Sequence, residues 1–502
     1  MSKRKAWNPI WRILSLIRRR RSKMQRFLYE QDYSRMVASS GNRLDEEIKE
    51  LEGRLENDGY VYRNKPFQLY PRVVILSSSD REWIRREAEQ LIDILEKVIR
   101  LYEEDQATRQ YFMLDEAASR LVRIDPGYQR KIRISRFDTY LVPGNESFKV
   151  LENNTDCPAG VIFTGRVNKV LRQIPSLSTY LQNIPPLYEE GIHKPDAFIN
   201  ELVSVFAEFS PGSRLRSMAI LQLENRISLE VKEMVELLRK AGVEAVVTDP
   251  RQLSYREGKL YAGNQRIELI WNKINTADFI PLLDDSAALS DLIWACDDLA
   301  VCHVNSFQAR FITESKLCLA YLSDPAFRKH FTDEECKILD KHIPWARKLS
   351  AVSPEDHEGQ GMRKLFKLRR EKLVLKTAYD IRGEGVVIGL STSQEQWEEL
   401  IDQCWNKPFI VQELVAAPEI PVPAGPDHSL VHKKFSADLF MFGGSFQGFG
   451  SKLSDELKVN VFQGGSKQAI FSVDNSAAEL RGSEQTACTS CGNCTNTGER
   501  CS

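Results

Sequence analysis

The sequence lacks any long apolar run: no segment approaches about eighteen consecutive apolar residues, so we expect no transmembrane helix. An excess of one charge is also missing, because 69 basic and 70 acidic side chains leave a formal net charge of -1. This balance disfavours a protein that coats nucleic acid through a strong positive field, and we expect no nucleic-acid partner. Apolar residues at 42% and charged residues at 28% instead predict a globular, cytoplasmic protein of two or three domains.

The familiar nucleotide-binding and catalytic motifs are missing as well. The chain has no G-x-x-x-x-G-K-[ST] loop and no G-x-G-x-x-G fingerprint. It has no catalytic-triad motif, and its seven histidines show no metal-binding spacing. Any nucleotide or metal chemistry must therefore use another arrangement of residues.

The ten cysteines are divided unevenly along the chain. Six are scattered singly between Cys157 and Cys404, as expected for reduced core thiols of a cytosolic protein. The C-x-x-C-x-x-C spacing near the end is similar to part of an iron–sulfur ligand run, and four thiols can also hold zinc. This end also resembles the modifiable core of a ribosomally made peptide, but we prefer a flexible tail with reactive thiols. The four cysteines concerned are Cys488, Cys491, Cys494 and Cys501.

The N-terminal segment is strongly basic, with ten Lys and Arg residues before the first acidic residue, Glu30. Apolar residues from Trp7 to Ile17 recur at helical spacing beside the arginine run Arg18 to Arg21. Such a segment could lie on an anionic membrane surface. We prefer a helix docked on the body of the protein or an unstructured segment.

Periodicity divides the rest of the chain into regions of different secondary structure. Apolar residues at three- and four-residue steps predict helices over 41–56 and 80–105. Alternation of apolar and polar residues predicts strands over 131–142 and 148–154. A strand, a helix and a strand over 217–249 predict a βαβ unit. We therefore expect a mixed α/β fold (α+β) with a helical N-terminal region.

Polar side chains cluster on the predicted hairpin 131–154. Asp138 lies in its first strand, and Glu152 and Asn154 end its second strand. Carboxylate and amide oxygens are the ligands that Mg²⁺ prefers, with phosphates and water completing an octahedron. Arg136 lies two residues before Asp138, so it faces the same side of the strand, where a guanidinium can hold a carboxylate or a phosphoryl group. An exposed turn with a surface ion pair is the simpler alternative.

Later segments contain candidate phosphate-binding groups. Lys376 lies in the otherwise apolar strand "LVLKTA", where a lysine is unusual unless it is paired or meets a ligand. A lysine that extends from the edge of the core into solvent is the alternative. The "RGEG" turn, Arg382 to Gly385, has two glycines, Gly383 and Gly385, that let backbone amides approach phosphate oxygens closely. Lys316, within "ITESKLCLAYLSD", is a further candidate.

The strand "FIVQEL" is a candidate adenine-binding edge. The extended backbone at Gln412, Glu413 and Leu414 offers alternating hydrogen-bond donors and acceptors beside apolar walls. Each of these motifs taken singly occurs by chance in many chains. Their order along the chain is far more informative.

That order resembles the circularly permuted ATP-grasp proteins, the group that includes glutathionylspermidine synthase. The chain has R-x-D at Arg136–Asp138, E-x-N at Glu152–Asn154 and D-x-P at Asp156–Pro158. The stretch "VNSFQARFITESKL", which contains Lys316, is similar to the family's N-x-F segment and the lysine after it. Metal ligands that precede the ATP-binding lysine along the chain are the mark of the permutation.

The later part of the chain resembles the family as well. "VLKTAYDIRGEG" is similar to the family's strand lysine and R-x-G loop, and "FIVQEL" to its Q-E linker strand. "FGGSFQGFGSKLSDELKVNVFQGG" resembles the late glycine-rich tract. Two residues depart from the pattern: Lys452 stands where the family often has an arginine, and Thr377 stands where it often has a proline.

The resemblance covers roughly residues 60 to 471 and implies an ATP-grasp fold in circularly permuted order. Together with the periodicity it predicts five regions along the chain. They are a basic amphipathic N-terminal segment (1–40), a helical region with the metal-binding hairpin (41–215), a βαβ domain like the one that precedes an ATP-grasp domain (216–300), ATP-binding lobes (301–471) and a flexible tail rich in Cys, Ser and Thr (472–502).

The resemblance also implies an activity, an ATP- and Mg²⁺-dependent carboxylate–amine ligase that forms an amide through an acylphosphate. The substrates would be a small-molecule or peptide carboxylate and an amine. The alternatives are a degenerate ATP-grasp protein that binds nucleotide or peptide without turnover, and a scaffold that acts through its N-terminus and Cys-rich tail. The implied roles are metal binding by Asp138, Glu152 and Asn154, catalysis by Arg136, and ATP binding by Lys316, Lys376, Arg382, Gly383, Gly385, Gln412, Glu413 and Leu414.

Overall fold

The structure is a computed structural model, and most of the chain is described in it. The basic N-terminal stretch and the Cys-rich end lie outside the described residues, as does Arg382, so the expectations for these parts stay predictions. The described residues are 27–57, 61–62, 65–66, 69–142, 147–224, 228–285, 287–350, 360–380, 383–423, 429–460 and 464–474.

Many helices begin at a side-chain cap that satisfies free backbone amides. Ser77 accepts a hydrogen bond from the Asp80 amide (3.0 Å), and Thr332 forms a reciprocal capping box with Glu335. None of the helices in the described part of the chain is long and apolar enough to cross a membrane. In chain order the helices are α1 (Glu30–Ser40), α2 (Asn42–Asn57), α3 (Ser78–Glu104), α4 (Gln106–Phe112), α5 (Glu116–Leu121), α6 (Phe163–Arg172), α7 (Pro175–Gln182), α8 (Asp196–Phe209), α9 (Leu229–Lys240), α10 (Thr276–Phe279), α11 (Ser290–Asp297), α12 (Lys316–Ser323), α13 (Asp333–His342), α14 (Gln360–Leu368) and α15 (Gln394–Gln403).

The strands are distributed over several sheets. In chain order they are β1 (Val61–Tyr62), β2 (Lys65–Pro66), β3 (Leu69–Leu76), β4 (Ile134–Val142), β5 (Ser147–Asn154), β6 (Ser217–Leu221), β7 (Glu244–Thr248), β8 (Leu253–Arg256), β9 (Lys259–Ala262), β10 (Gln265–Ile267), β11 (Leu269–Asn272), β12 (Cys302–Val304), β13 (Ala346–Lys348), β14 (Leu373–Thr377), β15 (Val386–Ile388), β16 (Phe409–Glu413), β17 (Glu419–Pro423), β18 (Leu430–Phe442), β19 (Ser445–Ser454) and β20 (Ser466–Ser472).

The largest sheet has the strand order β3-β20-β19-β18-β4-β5, with β17 added beside β18. β3 and β20 are parallel, and the other pairs of this sheet are antiparallel. The sheet joins strands from the segments 69–154 and 430–472, which are almost three hundred residues apart at their nearest. Strand β4 of the hairpin and strand β18, which leads into the glycine-rich tract, therefore become direct neighbours.

The predicted βαβ unit is confirmed. β6 and β7 are parallel neighbours in a four-stranded sheet with β11 and β12, and α9 connects them. Ser228 caps α9, since its hydroxyl accepts a hydrogen bond from the Val231 amide at 3.3 Å. The segment "KLYAGNQRI" forms the antiparallel pair β9–β10 beyond this unit.

A second four-stranded antiparallel sheet, β13-β16-β14-β15, forms a smaller lobe with α14 and α15. Trp397 of α15 and Phe366 of α14 are both fully buried and pack with residues of β14 and β16. Within the glycine-rich tract, Val459 and Asn460 lie outside any strand, and β20 begins at Ser466.

Candidate active site

The hairpin β4–β5 contains a bulge that determines which side chains share a face. Thr139 pairs with Val150 and Asp138 pairs with Glu152, so Leu151 is an extra residue on β5. Side chains alternate between faces along a strand, and one extra residue reverses the alternation beyond it. Val150 is therefore buried in the core, whereas Glu152 lies on the face that carries Asp138.

Four polar residues predicted from the sequence gather on this face or beside it. The Arg136 guanidinium donates to Asp138 Oδ1 (2.7 Å), to Asn154 Oδ1 (3.3 Å) and to the Ala159 carbonyl (2.8 Å). Asn154 Nδ2 donates to the same Asp138 oxygen at 3.0 Å. Glu152 is the cross-strand partner of Asp138, so both carboxylates point to one side of the sheet.

Lys316 brings the start of helix α12 against the hairpin. Its Nζ lies 2.7 Å from Glu152 Oε1 and also contacts Asp380 Oδ1. The Lys316 amide donates to the Ala378 carbonyl (2.8 Å), which ties the helix start to the end of β14. Burial alone would lower the pKa of Lys316, but the charges of Glu152 and Asp380 raise it above its ordinary value. The ammonium is therefore held charged.

Lys376 connects the smaller lobe with the hairpin. Its Nζ donates to the Leu151 carbonyl (2.9 Å) and to Gln412 Oε1 (2.6 Å). The carbonyl belongs to the bulged residue, so the same irregularity that turns Glu152 also supplies an acceptor for the lysine. Burial lowers the pKa of Lys376 to about 8.

Lys452, on β19, lies on the same face of the sheet and reaches Asp138 across β18. Its Nζ lies 2.6 Å from Asp138 Oδ2 and 2.7 Å from Asp438 Oδ1. Burial alone would raise the pKa of Asp138, but the charges of Arg136 and Lys452 hold it well below its usual range. Asp138 is therefore a carboxylate at any ordinary pH.

The glycine turn after β14 needs both of its glycines. Gly383 has φ +72°, a left-handed conformation that favours glycine. A Cβ at Gly385 would lie 2.3 Å from Thr377 Cγ2, a distance that real side chains do not reach. Lys458 donates to the Gly383 carbonyl at 3.2 Å, so the loop after β19 contacts this turn.

The predicted adenine edge lies on β16, beside Lys376. The Glu413 amide donates to the Trp345 carbonyl and the Leu414 amide to the Lys372 carbonyl, each at 2.8 Å. Both amides are thus already hydrogen-bonded within the protein. The contribution of Gln412, Glu413 and Leu414 to adenine binding stays a prediction.

Sequence reasoning missed two acidic residues of this site. Asp380, four residues after Lys376, faces Lys316, and Asp438, in β18, faces Lys452. A single acid inside the apolar run "FSADLFMF" was the available signal for Asp438, because an unpaired carboxylate is costly to bury. The turn residues around Asp380 gave no comparable signal.

The donor set of the hairpin fits Mg²⁺ chemically. Asp138, Glu152 and Asn154 provide hard oxygens on one face, and phosphate and water would supply the other ligands. No group of three or more His, Cys, Asp or Glu side chains is arranged to hold a metal ion within the residues that the structure describes.

One solved structure shares the fold of this chain at low sequence identity. A glutathione synthetase-like effector from Globodera pallida superposes with a TM-score of 0.53 and 11% identity, over 85% of this chain and 96% of that one. A putative gamma-glutamylcysteine synthetase from Methylobacillus flagellatus matches with a TM-score of 0.35 and 12% identity, over 73% of this chain and 82% of that one. No curated protein matches the sequence. The family described as circularly permuted ATP-grasp type 2 matches residues 74–447, well over half of the chain, and the protein belongs to that family.

Proposed function

We propose that the protein is a cytoplasmic, ATP- and Mg²⁺-dependent carboxylate–amine ligase. One observation carries the proposal: basic groups from distant parts of the chain converge on the hairpin carboxylates. Lys316 lies 2.7 Å from Glu152, and Lys452 lies 2.6 Å from Asp138. Membership of the ATP-grasp family supports ATP-dependent ligation as the class of activity.

ATP would bind between the large sheet and the smaller lobe. Lys316 and Lys376 are the candidate phosphate ligands, because both ammonium groups are buried and point to the hairpin. Backbone amides of the Gly383–Gly385 turn can add hydrogen bonds to phosphate oxygens. Asp138, Glu152 and Asn154 would hold Mg²⁺, which when bound supplies neutralisation of phosphate charge.

The proposed reaction has two transfers. A substrate carboxylate oxygen bonds to the γ-phosphorus of ATP, the bond from that phosphorus to the bridging oxygen breaks, and ADP leaves. The nitrogen of an amine then bonds to the acyl carbon, the carbon–oxygen bond to phosphate breaks, and the nitrogen loses a proton to the departing phosphate or to water. Arg136, which is held against Asp138, would stabilise the charge that spreads over the transferring group.

The test is phosphate release by the purified full-length protein. ATP and Mg²⁺ are supplied with pools of amino acids, small peptides and polyamines as carboxylate and amine donors. We expect release that requires both a carboxylate and an amine, together with an amide product detected by mass spectrometry. Glu152→Gln should lack this release, whereas Glu371→Gln, a change at an exposed residue of the smaller lobe, should keep it.

Two other outcomes would replace the proposal. Tight nucleotide binding without phosphate release in any mixture would favour a degenerate ATP-grasp protein that binds without turnover. Failure to bind nucleotide at all would favour a scaffold that acts through its N-terminus and its Cys-rich end.

A further inference from the structure

Asp438 is a fully buried acid in the middle of the large sheet. It lies on β18 as the direct cross-strand partner of Asp138, which is in turn the partner of Glu152. Direct partners on adjacent strands point to the same face. The three carboxylates therefore form a row across β5, β4 and β18, and Asp438 is its innermost member, with 0% exposure.

Two lysines neutralise this inner carboxylate. Lys452 Nζ lies 2.7 Å from Asp438 Oδ1, and Lys467 Nζ lies 3.5 Å from Asp438 Oδ2. Gly450 is the partner of Asp438 on β19, and a Cβ at that glycine would lie 3.0 Å from Phe440 Cε2 and 3.3 Å from both Cβ and Oδ2 of Asp438. The sheet thus leaves room for the carboxylate where any larger partner residue would press on it.

Lys452 links Asp438 to the candidate active site. Its ammonium bridges Asp438 and Asp138, with 2.7 Å and 2.6 Å to the two carboxylates. A lysine ammonium is a compact charge on a flexible four-carbon stem, so one carboxylate does not fix its position. A second, immobile carboxylate behind it restricts the ammonium to one place.

We propose that Asp438 is a positioning residue, which holds the Lys452 ammonium against Asp138 where the nucleotide's phosphates and metal would bind. This inference rests on the proposed function and identifies how one cation of that site is kept in place. Asp438 itself touches neither nucleotide nor metal. Its effect on binding must therefore pass through Lys452.

A double-mutant cycle tests that dependence directly. Binding of Mg²⁺ with adenylyl imidodiphosphate is measured by calorimetry for the wild type, Asp438→Asn, Lys452→Met and the double variant. With Lys452 present, Asp438→Asn should weaken binding by about 10-fold or more, as loss of supporting hydrogen bonds does at metal sites. In the Lys452→Met background the same change should alter binding by less than about twofold, because the residue through which it acts is gone.

Gly450→Ala gives a second route if Asp438→Asn does not fold. It keeps every charge but presses on the Phe440 ring and on Asp438, and it should weaken binding by at least about threefold in the wild-type background and not in the Lys452→Met background. Asp249→Asn is the matched control, because Asp249 is also a buried, ion-paired acid but belongs to the βαβ sheet region. It should bind nucleotide as the wild type does.

The possible results distinguish the inference about Asp438 from the proposed ligase function. Equal losses from Asp438→Asn in both backgrounds would mean that Asp438 acts without Lys452, and this would overturn the inference. Wild-type affinity in both Asp438→Asn and Gly450→Ala would overturn it as well, while leaving the ligase proposal intact. A wild-type protein that binds no nucleotide would overturn the proposed function and this inference together.

Discussion

Replacement of Glu152 by Gln tests the candidate site with the smallest change in shape. Glu152 Oε1 forms an ion pair with Lys316 Nζ at 2.7 Å, and the Glu152 side chain is 29% exposed. The Gln amide oxygen can still accept a hydrogen bond from the same ammonium. Lys316 also retains Asp380, so its charge stays paired. The fold should therefore tolerate the substitution.

The expected effects on stability and on turnover differ widely in size. Exchange of a charge-assisted hydrogen bond for a neutral one at a partly exposed site should cost about 1 kcal/mol of unfolding free energy. In a chain of 502 residues that is a decrease of about 1 °C in melting temperature. Loss of a ligand of the metal ion that would neutralise transition-state charge should lower kcat by about 100- to 1000-fold, or roughly 3 to 4 kcal/mol. Turnover should fall far more than stability.

Three measurements on Glu152→Gln check this reasoning. Thermal unfolding gives the stability, calorimetry with adenylyl imidodiphosphate gives nucleotide affinity, and phosphate release gives turnover. We expect affinity within a few-fold of the wild type and turnover reduced as stated. If kcat is unchanged, Glu152 is not a metal ligand of a ligase; if the protein unfolds, the Lys316 pair is structural and the assignment to the active site is wrong.

Three further substitutions test the predicted roles of Lys376 and of the glycine turn. Lys376→Ala should abolish nucleotide binding in calorimetry while melting remains cooperative, because it removes a buried ammonium that points to the hairpin. Burial lowers the pKa of Lys376 to about 8. We therefore expect kcat/KM for ATP to fall as pH rises through 8, because the free protein then loses the charge that phosphate requires. Lys376→Arg should shift this fall to higher pH. Gly385→Ala should lower both melting temperature and nucleotide affinity, since its methyl group collides with Thr377; wild-type values for both would contradict a tight turn.

The sequence predicted the two strands of the hairpin well, but not the face of the sheet on which the Glu152 side chain lies. Strict alternation along "FKVLENN" places Phe148, Val150 and Glu152 on one side, which would turn the acid to the core. The bulge at Leu151 moves Glu152 to the side of Asp138. A bulge adds one residue without changing composition or period over so short a strand, so no local pattern signals it.

The sequence indicates that a buried acid needs a cation as its partner, but not which residue supplies that cation. An acid alone in an apolar strand, such as Asp438, requires a cation, because burial of an unpaired charge is costly. Which lysine supplies that cation depends on the order of strands in the large sheet. β18 lies between β4 and β19, which brings Lys452 beside Asp138 across more than three hundred residues of sequence. Strand order of this kind follows from the whole fold and not from any local segment.

The ion pairs of the candidate site also indicate what charge a ligand of this site should carry. Lys316 is held by Glu152 and Asp380, and Lys452 is held by Asp138 and Asp438, so each of these two buried cations already has carboxylate partners. A nucleotide bound alone would add negative charge beside these carboxylates, and a metal ion bound alone would add positive charge beside these lysines. Either addition would be costly in a buried site, because a charge without a partner there has lost its solvation. A nucleotide and a metal ion that arrive together would balance each other's charge, and for this reason we expect the site to bind the metal complex of ATP in preference to either component alone.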